Sequence, residues 1–370
     1  MRVVAVDHFA AVRPLDESVL SRAAWRCERI TLGASPGYLA RRLVQKFAQR
    51  TASRSPRIAA WAHNPNIFRL AAFAAREPAD LYLGHSLAGL VAAGLAAVQR
   101  GARLGFDAED FHRFEISDTP APEIGALEDR WLPRCQHLTA ASPLIALAYA
   151  ENCGVTTPPV VLNVFPLADA PAAPMPRTDG PPTLYWFSQT IGPGRGLEPL
   201  VELLARISTT CDVHLRGLAA TGFPDALAQR ARSAGFRGKL QFHGLAQPDT
   251  MVRLAAGHTL GLSLEQTRPR NRDLCLTNKI FAYLLAGTPV LLTPTSAQRR
   301  LATELGDAAL CLDLAARSSV AELDAFLKSP DRRSAATVRA RALALSRYNW
   351  EVEQENFLCT LRNALAGPAA

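Results

Sequence analysis

The sequence predicts an α/β fold of two Rossmann-like domains, each a doubly wound parallel sheet, facing each other across a cleft. Three observations predict it. Short Val-, Leu- and Ile-rich runs alternate with amphipathic helical stretches from end to end, a Pro/Ala segment over residues 166–182 interrupts that alternation once, and 370 residues suit two domains better than one.

In the first half, strands are expected at 2–6, 28–33, 80–84, 103–107, 137–141 and 160–164. Their apolar residues run nearly without a break, as in strands buried on both faces of a parallel sheet. The clearest helix is 86–100, with a Ser start, many small residues and a basic end that suits the helix dipole. After the linker, strands are expected at 183–188, 213–217, 240–244, 259–264, 289–293 and 308–313, and helices near 197–208, 224–235, 248–256, 278–286, 296–305 and 320–345. The domains are therefore 1–165 and 183–345, joined by the linker 166–182. Residues 346–370 form a C-terminal helix and tail that either stays with the second domain or crosses back to the first.

Composition narrows the class. The chain is 48% hydrophobic and 20% charged, which suits a soluble protein with real cores. No apolar run is long enough to span a membrane, and the N-terminus opens directly as a strand, so a cytoplasmic protein is expected. The seven cysteines show no paired or metal-type spacing and read as reduced thiols. The net charge of +8 leaves nucleic acid, anionic lipid and anionic small substrates open; no nucleic-acid motif appears, so no nucleic-acid partner is expected.

Ligands of open parallel sheets bind at the carboxyl ends of the strands. Strand 183–188 runs into Ser188-Gln189-Thr190-Ile191-Gly192-Pro193-Gly194-Arg195-Gly196 ahead of a helix. Glycines let backbone amides turn toward a ligand, the helix start adds unpaired N–H groups, and Arg195 offers a bidentate fork. The segment reads either as a diphosphate seat or as a tight turn with a solvated Arg. A second constellation begins at Glu265, one position past a strand end. It continues through a loop bearing Arg268, Arg270 and Arg272 to Thr277, Asn278 and Lys279 at the start of a helix that ends at Gly287. A Lys in a first turn opposes the dipole and calls for an anion. That anion is either a ligand or Asp273, and Asn278 is either a ligand contact or a second cap.

The first half offers Asp107, Glu109 and Asp110 after a strand. They read as a general base or electrostatic stabiliser, as a divalent-metal site, or as a solvated loop paired with Arg113. The two-domain pattern disfavours the metal, and none is expected. His85 reads either as a hydroxyl contact or as an ordinary loop histidine; His8 follows the first strand. Residues 37–57 carry six basic side chains and no acidic one, with Tyr38, Leu39, Leu43, Val44 and Phe47 on one helical side. This helix either rests on anionic lipid or packs its apolar side on the first sheet.

Two stretches of the second half carry a resemblance to a known family. Ser188 to Leu197 has the strand, Gly/Arg loop and helix, and Asn278 to Val290 matches an Asn-Lys-apolar-Phe-x-Tyr-x-x-Ala-Gly-x-Pro-Val segment almost throughout. Both look like the donor-binding half of GT-B glycosyltransferases, most like family 4; residues 80–85, 106–110 and 140–144 resemble the acceptor half more loosely.

The resemblance implies transfer of a sugar from a nucleotide-diphosphate sugar to a hydroxyl acceptor, with retention, without metal or other cofactor, in polysaccharide or glycoconjugate synthesis. The acceptor is either soluble or a lipid-linked glycan at the inner face of the membrane. It further implies that Gly194, Arg195, Gly196, Gln189, Asn278 and Lys279 hold the donor diphosphate. Phe242, His243 and Gly244 lie by the nucleobase, Glu265 by the donor sugar, and His85, Asp107 and Glu109 at the reactive centre.

The sequence also departs from the family. Ala282 and Leu274 stand where it has two Glu eight apart, Gln189 where it has Arg, and Glu109 where it often has His. Glu109 as a base would suit inversion. Ala282 and Gln189 leave open a catalytically silent binding or assembly subunit, and the shared two-domain fold leaves open a nucleotide-sugar epimerase.

Overall fold

A computed structural model describes residues 1–7, 12–31, 36–51, 55–173 and 180–367. His8 and Arg54 lie outside them. The chain divides into two compact units: Met1–Val161 with Pro269–Asn271 and Glu355–Ala370, and Leu162–Arg268 with Arg272–Gln354.

In the first unit, β1 (Arg2–Asp7) is followed by α1 (Arg13–Leu20), β2 (Arg26–Thr31), α2 (Pro36–Arg50), α3 (Pro56–His63) and α4 (Ile67–Ala74). Then come β3 (Leu81–His85), α5 (Ser86–Arg100), β4 (Arg103–Ala108), α6 (Pro122–Trp131), β5 (Cys135–Ala140) and α7 (Pro143–Cys153). Among the described residues β1 pairs with β2, and β3, β4 and β5 form a second sheet in that order, every pairing parallel. Helix α5 packs tightly on the end of β3: a Cβ on Gly84 would lie 2.5 Å from the backbone of Gly89 and Leu90, so only glycine fits. Helix α7 starts as its sequence dictates, with Pro143 in the first turn and the Ser142 hydroxyl accepting the amide of Leu144. The run 160–164, expected to be a strand, contributes only a bridge from Val160 to Ala140. Val161 donates to the carbonyl of Ala140, but the next amide, of Leu162, donates to the Glu353 carboxylate instead of a strand, and Pro158 and Pro159 prevent the pairing from extending backward.

The second unit runs β6 (Thr183–Ile191), α8 (Leu197–Arg206), β7 (Asp212–Ala219), α9 (Phe223–Ala234), β8 (Leu240–His243), α10 (Met251–Ala255) and β9 (Leu260–Ser263). The chain continues with α11 (Arg270–Leu274), whose first two residues belong to the first unit, α12 (Asn278–Ala286), β10 (Val290–Leu292), α13 (Ser296–Leu305), β11 (Ala309–Cys311), α14 (Arg317–Lys328), α15 (Pro330–Ser346) and α16 (Trp350–Ala366), which belongs to the first unit from Glu355 onward. The parallel sheet of the second unit has the order β11-β10-β9-β6-β7-β8, reversing at β6 and β9 as a doubly wound sheet does. Leu184, Trp186, Val213, Leu215, Leu260 and Leu262 fill one side of that sheet together with Leu200, Leu203 and Leu204 of α8.

The helix expected over 320–345 is two helices. Pro330 cannot donate back into α14, and Ser329 caps the new helix by accepting the amide of Arg332. Helix α16 starts at Trp350 rather than 346, because Asn349 Oδ1 accepts the amide of Val352. From Glu355 onward the chain clusters with the first unit, where Phe357 meets the ring of His137 edge-on at 5.3 Å and Arg103 donates to the carbonyl of Gly367. All seven cysteines are free.

Candidate functional site

In the first unit, parallel register sets three residues side by side at the strand ends: His85 on β3 opposite Asp107 on β4, and Asp107 opposite Thr139 on β5. His85 Nδ1 lies 3.5 Å from Asp107 Oδ2 and 3.8 Å from Glu109 Oε1, and the Thr139 hydroxyl donates to Asp107 Oδ1 at 2.8 Å. The hydrogen bond to Asp107 raises the pKa of His85 against the opposing effect of burial. Burial alone would raise Asp107, but hydrogen bonds from His85 and Thr139 outweigh it and hold the carboxyl below its ordinary value. Glu109 is raised, first by burial and then by the charge of Asp107. One neighbourhood thus holds a carboxylate kept ionised, a carboxyl pushed toward its acid form and a histidine pushed toward its cation, the separation that acid–base chemistry uses.

The backbone at this point is unusual. Ser86, directly after His85, is the one described non-glycine residue with positive φ, at 61°. It turns the chain abruptly from strand to helix and leaves His85 exposed at the edge. His85, Asp107 and Glu109 each offer an atom within 4.8 Å of the others, a spacing that admits a divalent cation as readily as a hydrogen-bond triad.

Arg113 does not join the cluster. It pairs with Glu128 at 2.7 Å and with Asp129 at 2.6 Å. Asp110 instead accepts the side-chain amide of Asn271 at 2.7 Å, while Asn271 Oδ1 accepts the amide of Phe111.

In the second unit, a bulge after Phe187 shifts the register of β6 on β7 and leaves Gln189 exposed. The strand then reaches the turn Gly192–Gly196. Gly194 and Gly196 adopt φ of 70° and 77°, and Gly196 is the N-cap of α8. A Cβ on Gly196 would lie 2.7 Å from Leu264 Cβ and from its carbonyl oxygen, so this turn is pressed against the end of β9. Arg272 Nη1 donates to the carbonyl of Gly194 at 3.0 Å from the other side. The turn 192–196 therefore meets Leu264 and Arg272 within the second unit. Arg195 is half-buried there, and among the described residues no side chain pairs with it.

Lys279 is buried in the first turn of α12, and its Nζ lies 3.2 Å from Glu265 Oε1. Of the two anions open for it, a ligand or Asp273, the second is ruled out as its partner: Asp273 accepts from the amide and hydroxyl of Ser296 instead. Thr277 occupies the N-cap position without a side-chain cap bond, and Asn278 is exposed. Ala282 is fully buried and Leu274 nearly so, so neither position presents a polar group.

At the end of β8, Phe242 and His243 are half-buried and Gly244 is exposed. Arg216 of β7 ties this end to β6, donating from Nε to the Tyr185 hydroxyl and from Nη1 to the carbonyl of Gly244, both at 3.0 Å. His214 stacks on His243 with 3.1 Å between ring nitrogens, and Tyr185 stacks on His258 at 4.6 Å. Thr139, Arg216, Tyr185, His214 and His258 were not among the sequence candidates. Each joins the site through lateral strand neighbours or loop packing, which no local motif announces.

Residues 195–358 match the family model described as glycosyl transferase-like, a span short of half the chain that includes Arg195, Glu265 and Lys279. No curated protein sequence matches the chain. Solved structures do. HepE of Anabaena in complex with UDP and glucose is 16% identical, with 98% of this chain and 99% of that chain covered and a TM-score of 0.70. Sucrose-phosphate synthase of Thermosynechococcus elongatus is 12% identical, with 99% of each chain covered and a TM-score of 0.68. The E. coli protein described as trehalose-6-phosphate, bound with UDP-2-fluoro glucose, is 13% identical over 99% of each chain at a TM-score of 0.64. The fold is that of the GT-B glycosyltransferases, with two Rossmann-like units, and the second unit carries a glycosyltransferase-like domain.

Proposed function

We propose that this chain is a GT-B glycosyltransferase, of or near family 4, that moves a sugar from a nucleotide-diphosphate sugar to a hydroxyl acceptor in polysaccharide or glycoconjugate synthesis. One observation carries the reading: an unpaired, half-buried Arg195 sits in a two-glycine turn at the N-terminus of α8, pressed against the strand end that leads to Glu265 and Lys279. An unpaired guanidinium beside free helix amides is a seat for an anion, and a diphosphate supplies one. UDP-glucose is the donor to try first, since HepE is also solved with UDP-glucose.

In this reading the bond between the sugar's anomeric carbon and the diphosphate oxygen breaks, and the departing charge falls on Arg195, the α8 amides and Lys279. The acceptor hydroxyl forms the new bond and gives up its proton to a carboxylate or histidine. Glu265 keeps Lys279 in place and takes donor sugar hydroxyls, while Gln189 and Asn278 reach the phosphates from the rim. Phe242, His243 and Gly244 receive the base, with Arg216 fixing their backbone. His85, Asp107 and Glu109 serve the acceptor hydroxyl. The cationic cradle needs no metal, and retention follows the resemblance. We place the acceptor on a lipid-linked glycan at the inner face of the membrane.

A silent binding subunit is the second reading, motivated by Ala282, fully buried where related chains have the second Glu. Radiolabelled UDP-glucose with a panel of hydroxyl acceptors decides among the readings. Transfer supports the proposal, free UDP with an isomerised sugar makes the chain an epimerase, and binding without turnover makes it silent. EDTA that abolishes transfer, with Mn²⁺ restoring it, would overturn the metal-free part.

A further inference from the structure

Helix α2 turns its apolar side outward. Leu39, Leu43, Val44 and Phe47 are 60%, 68%, 44% and 70% exposed. The inward side is polar: Gln45 is buried and donates to the carbonyls of Ala62 and His63, and Gln49 donates to Ala62, so α2 seats on α3 through side-chain amides and Ala48. This reverses the expected alternative in which the apolar side packs on the first sheet. A helix that needed only its own unit would bury the other face. Elsewhere large exposed apolar residues such as Val98, Ile116 and Val338 stand singly, whereas α2 brings four within nine residues.

The charges around this ridge are of one sign. Leu39, Leu43 and Phe47 follow one another at helical spacing, and exposed Lys46 and Arg50 lie between them on the same side, with Arg42 at the flank. Among the described residues none of these three cations meets a carboxylate. From Arg29 to Arg76 the sequence has nine Arg or Lys and no Asp or Glu. A second copy of this chain would set the same cations against each other across the contact, which disfavours self-association. An anionic bilayer accepts both features at once: acyl chains take the apolar ridge, and headgroups take the cations. No described helix is long and apolar enough to cross a membrane, so contact would be along the surface.

We propose that α2 docks this protein on an anionic lipid surface, with Leu43 and Phe47 entering the bilayer and Lys46 and Arg50 at the headgroups. The inference deepens the lipid-linked acceptor part of the proposed function but does not depend on the donor cradle.

The test is co-sedimentation of the full chain with phosphatidylcholine vesicles, with and without phosphatidylglycerol. Binding is expected only with phosphatidylglycerol and is expected to weaken with salt. Leu43→Ser/Phe47→Ser should reduce it about tenfold or more, and Lys46→Gln and Arg50→Gln about fivefold each. All four residues are exposed, so thermal melts should not move. No sedimentation at low salt, or equal sedimentation of every variant, would overturn the proposal. So would a dimer in light scattering that Leu43→Ser/Phe47→Ser dissolves, since the ridge would then be a self-association face. UDP affinity, measured in parallel, separates the two readings. Vesicle binding without UDP binding sinks the donor reading alone, and the reverse sinks this one alone.

Discussion

Lys279 Nζ lies 3.2 Å from Glu265 Oε1, joining the first turn of α12 to the chain just past β9. A lysine at a helix N-terminus opposes the dipole, and burial deprives it of water, so the carboxylate is what makes the position tenable. With Lys279 so matched, Arg195 is, among the described residues, a half-buried cation of this region that no side chain pairs with.

Arg195→Ala is therefore expected to weaken UDP binding about 10- to 100-fold, the value of one or two charge-assisted hydrogen bonds. Arg195→Lys should recover part of the loss, because it restores charge without the fork. Calorimetric titration with UDP checks both, and unchanged affinity would remove Arg195 from the site.

Breaking the pair from one side should be worse than removing both partners. Lys279→Met leaves a carboxylate with little solvent and is expected to cost about 1–3 kcal/mol. Lys279→Met/Glu265→Gln should regain much of that stability while leaving donor turnover low. Urea unfolding of the single and double variants measures the coupling.

Gly196→Ala meets two obstacles at once, a left-handed φ and a Cβ 2.7 Å from Leu264. A loss of about 2 kcal/mol or more is expected, seen as a melting temperature lower by several degrees. UDP affinity should fall too, since the turn can only relax by moving away from β9. A variant that melts like the parent would mean the approach of these two segments is loose.

Asp107→Asn should separate binding from chemistry. UDP affinity is expected to stay unchanged while transfer falls about 100-fold or more. In the parent, Asp107 holds the pKa of His85 above 6.5. A limb of the pH–rate profile due to His85 should therefore lie above that value and move down in Asp107→Asn, with a smaller move in Thr139→Val. Identical profiles in all three proteins would exclude His85 as the titrating group.

Acid should destabilise the second unit through His258. Burial, reinforced by His214, His243 and Arg216, pulls its pKa from 6.5 to about 4. The unfolded chain takes up this proton first, so the stability present above pH 6.5 is lost as pH falls toward 4. His214 and His243 are lowered as well and act in the same direction. His258→Phe keeps a ring against Tyr185 and should flatten, without abolishing, the fall in melting temperature over that interval.

Much of the fold was legible because parallel strands buried on both faces are nearly continuous apolar runs. The Ser86–Arg100 helix and the β6 start at Thr183 fall where periodicity puts them. The break at Ser329-Pro330 was written in the residues but hidden by an apolar pattern that continues across it.

The site was legible where a motif is local, as in Gly194-Arg195-Gly196. It was not legible where the partner depends on register between distant strands. Asp107 meets Thr139 because β4 and β5 align at that pair, and Arg216 reaches Tyr185 across β6 and β7. For Lys279 the sequence offers Asp273, six residues away, as the alternative to a ligand anion, whereas its actual partner Glu265 is brought close by the fold.

The last helix sets a condition on dissecting this protein. Because residues from Glu355 onward cluster with the first unit, a fragment ending at Val161 would lack the ring that covers His137 and the carbonyl that receives Arg103. Its mirror fragment would carry the exposed remainder of α16 as a sticky tail. Separate expression of the halves would suit a circularly permuted gene, with the 355–367 segment fused ahead of Met1, better than a single cut in the linker.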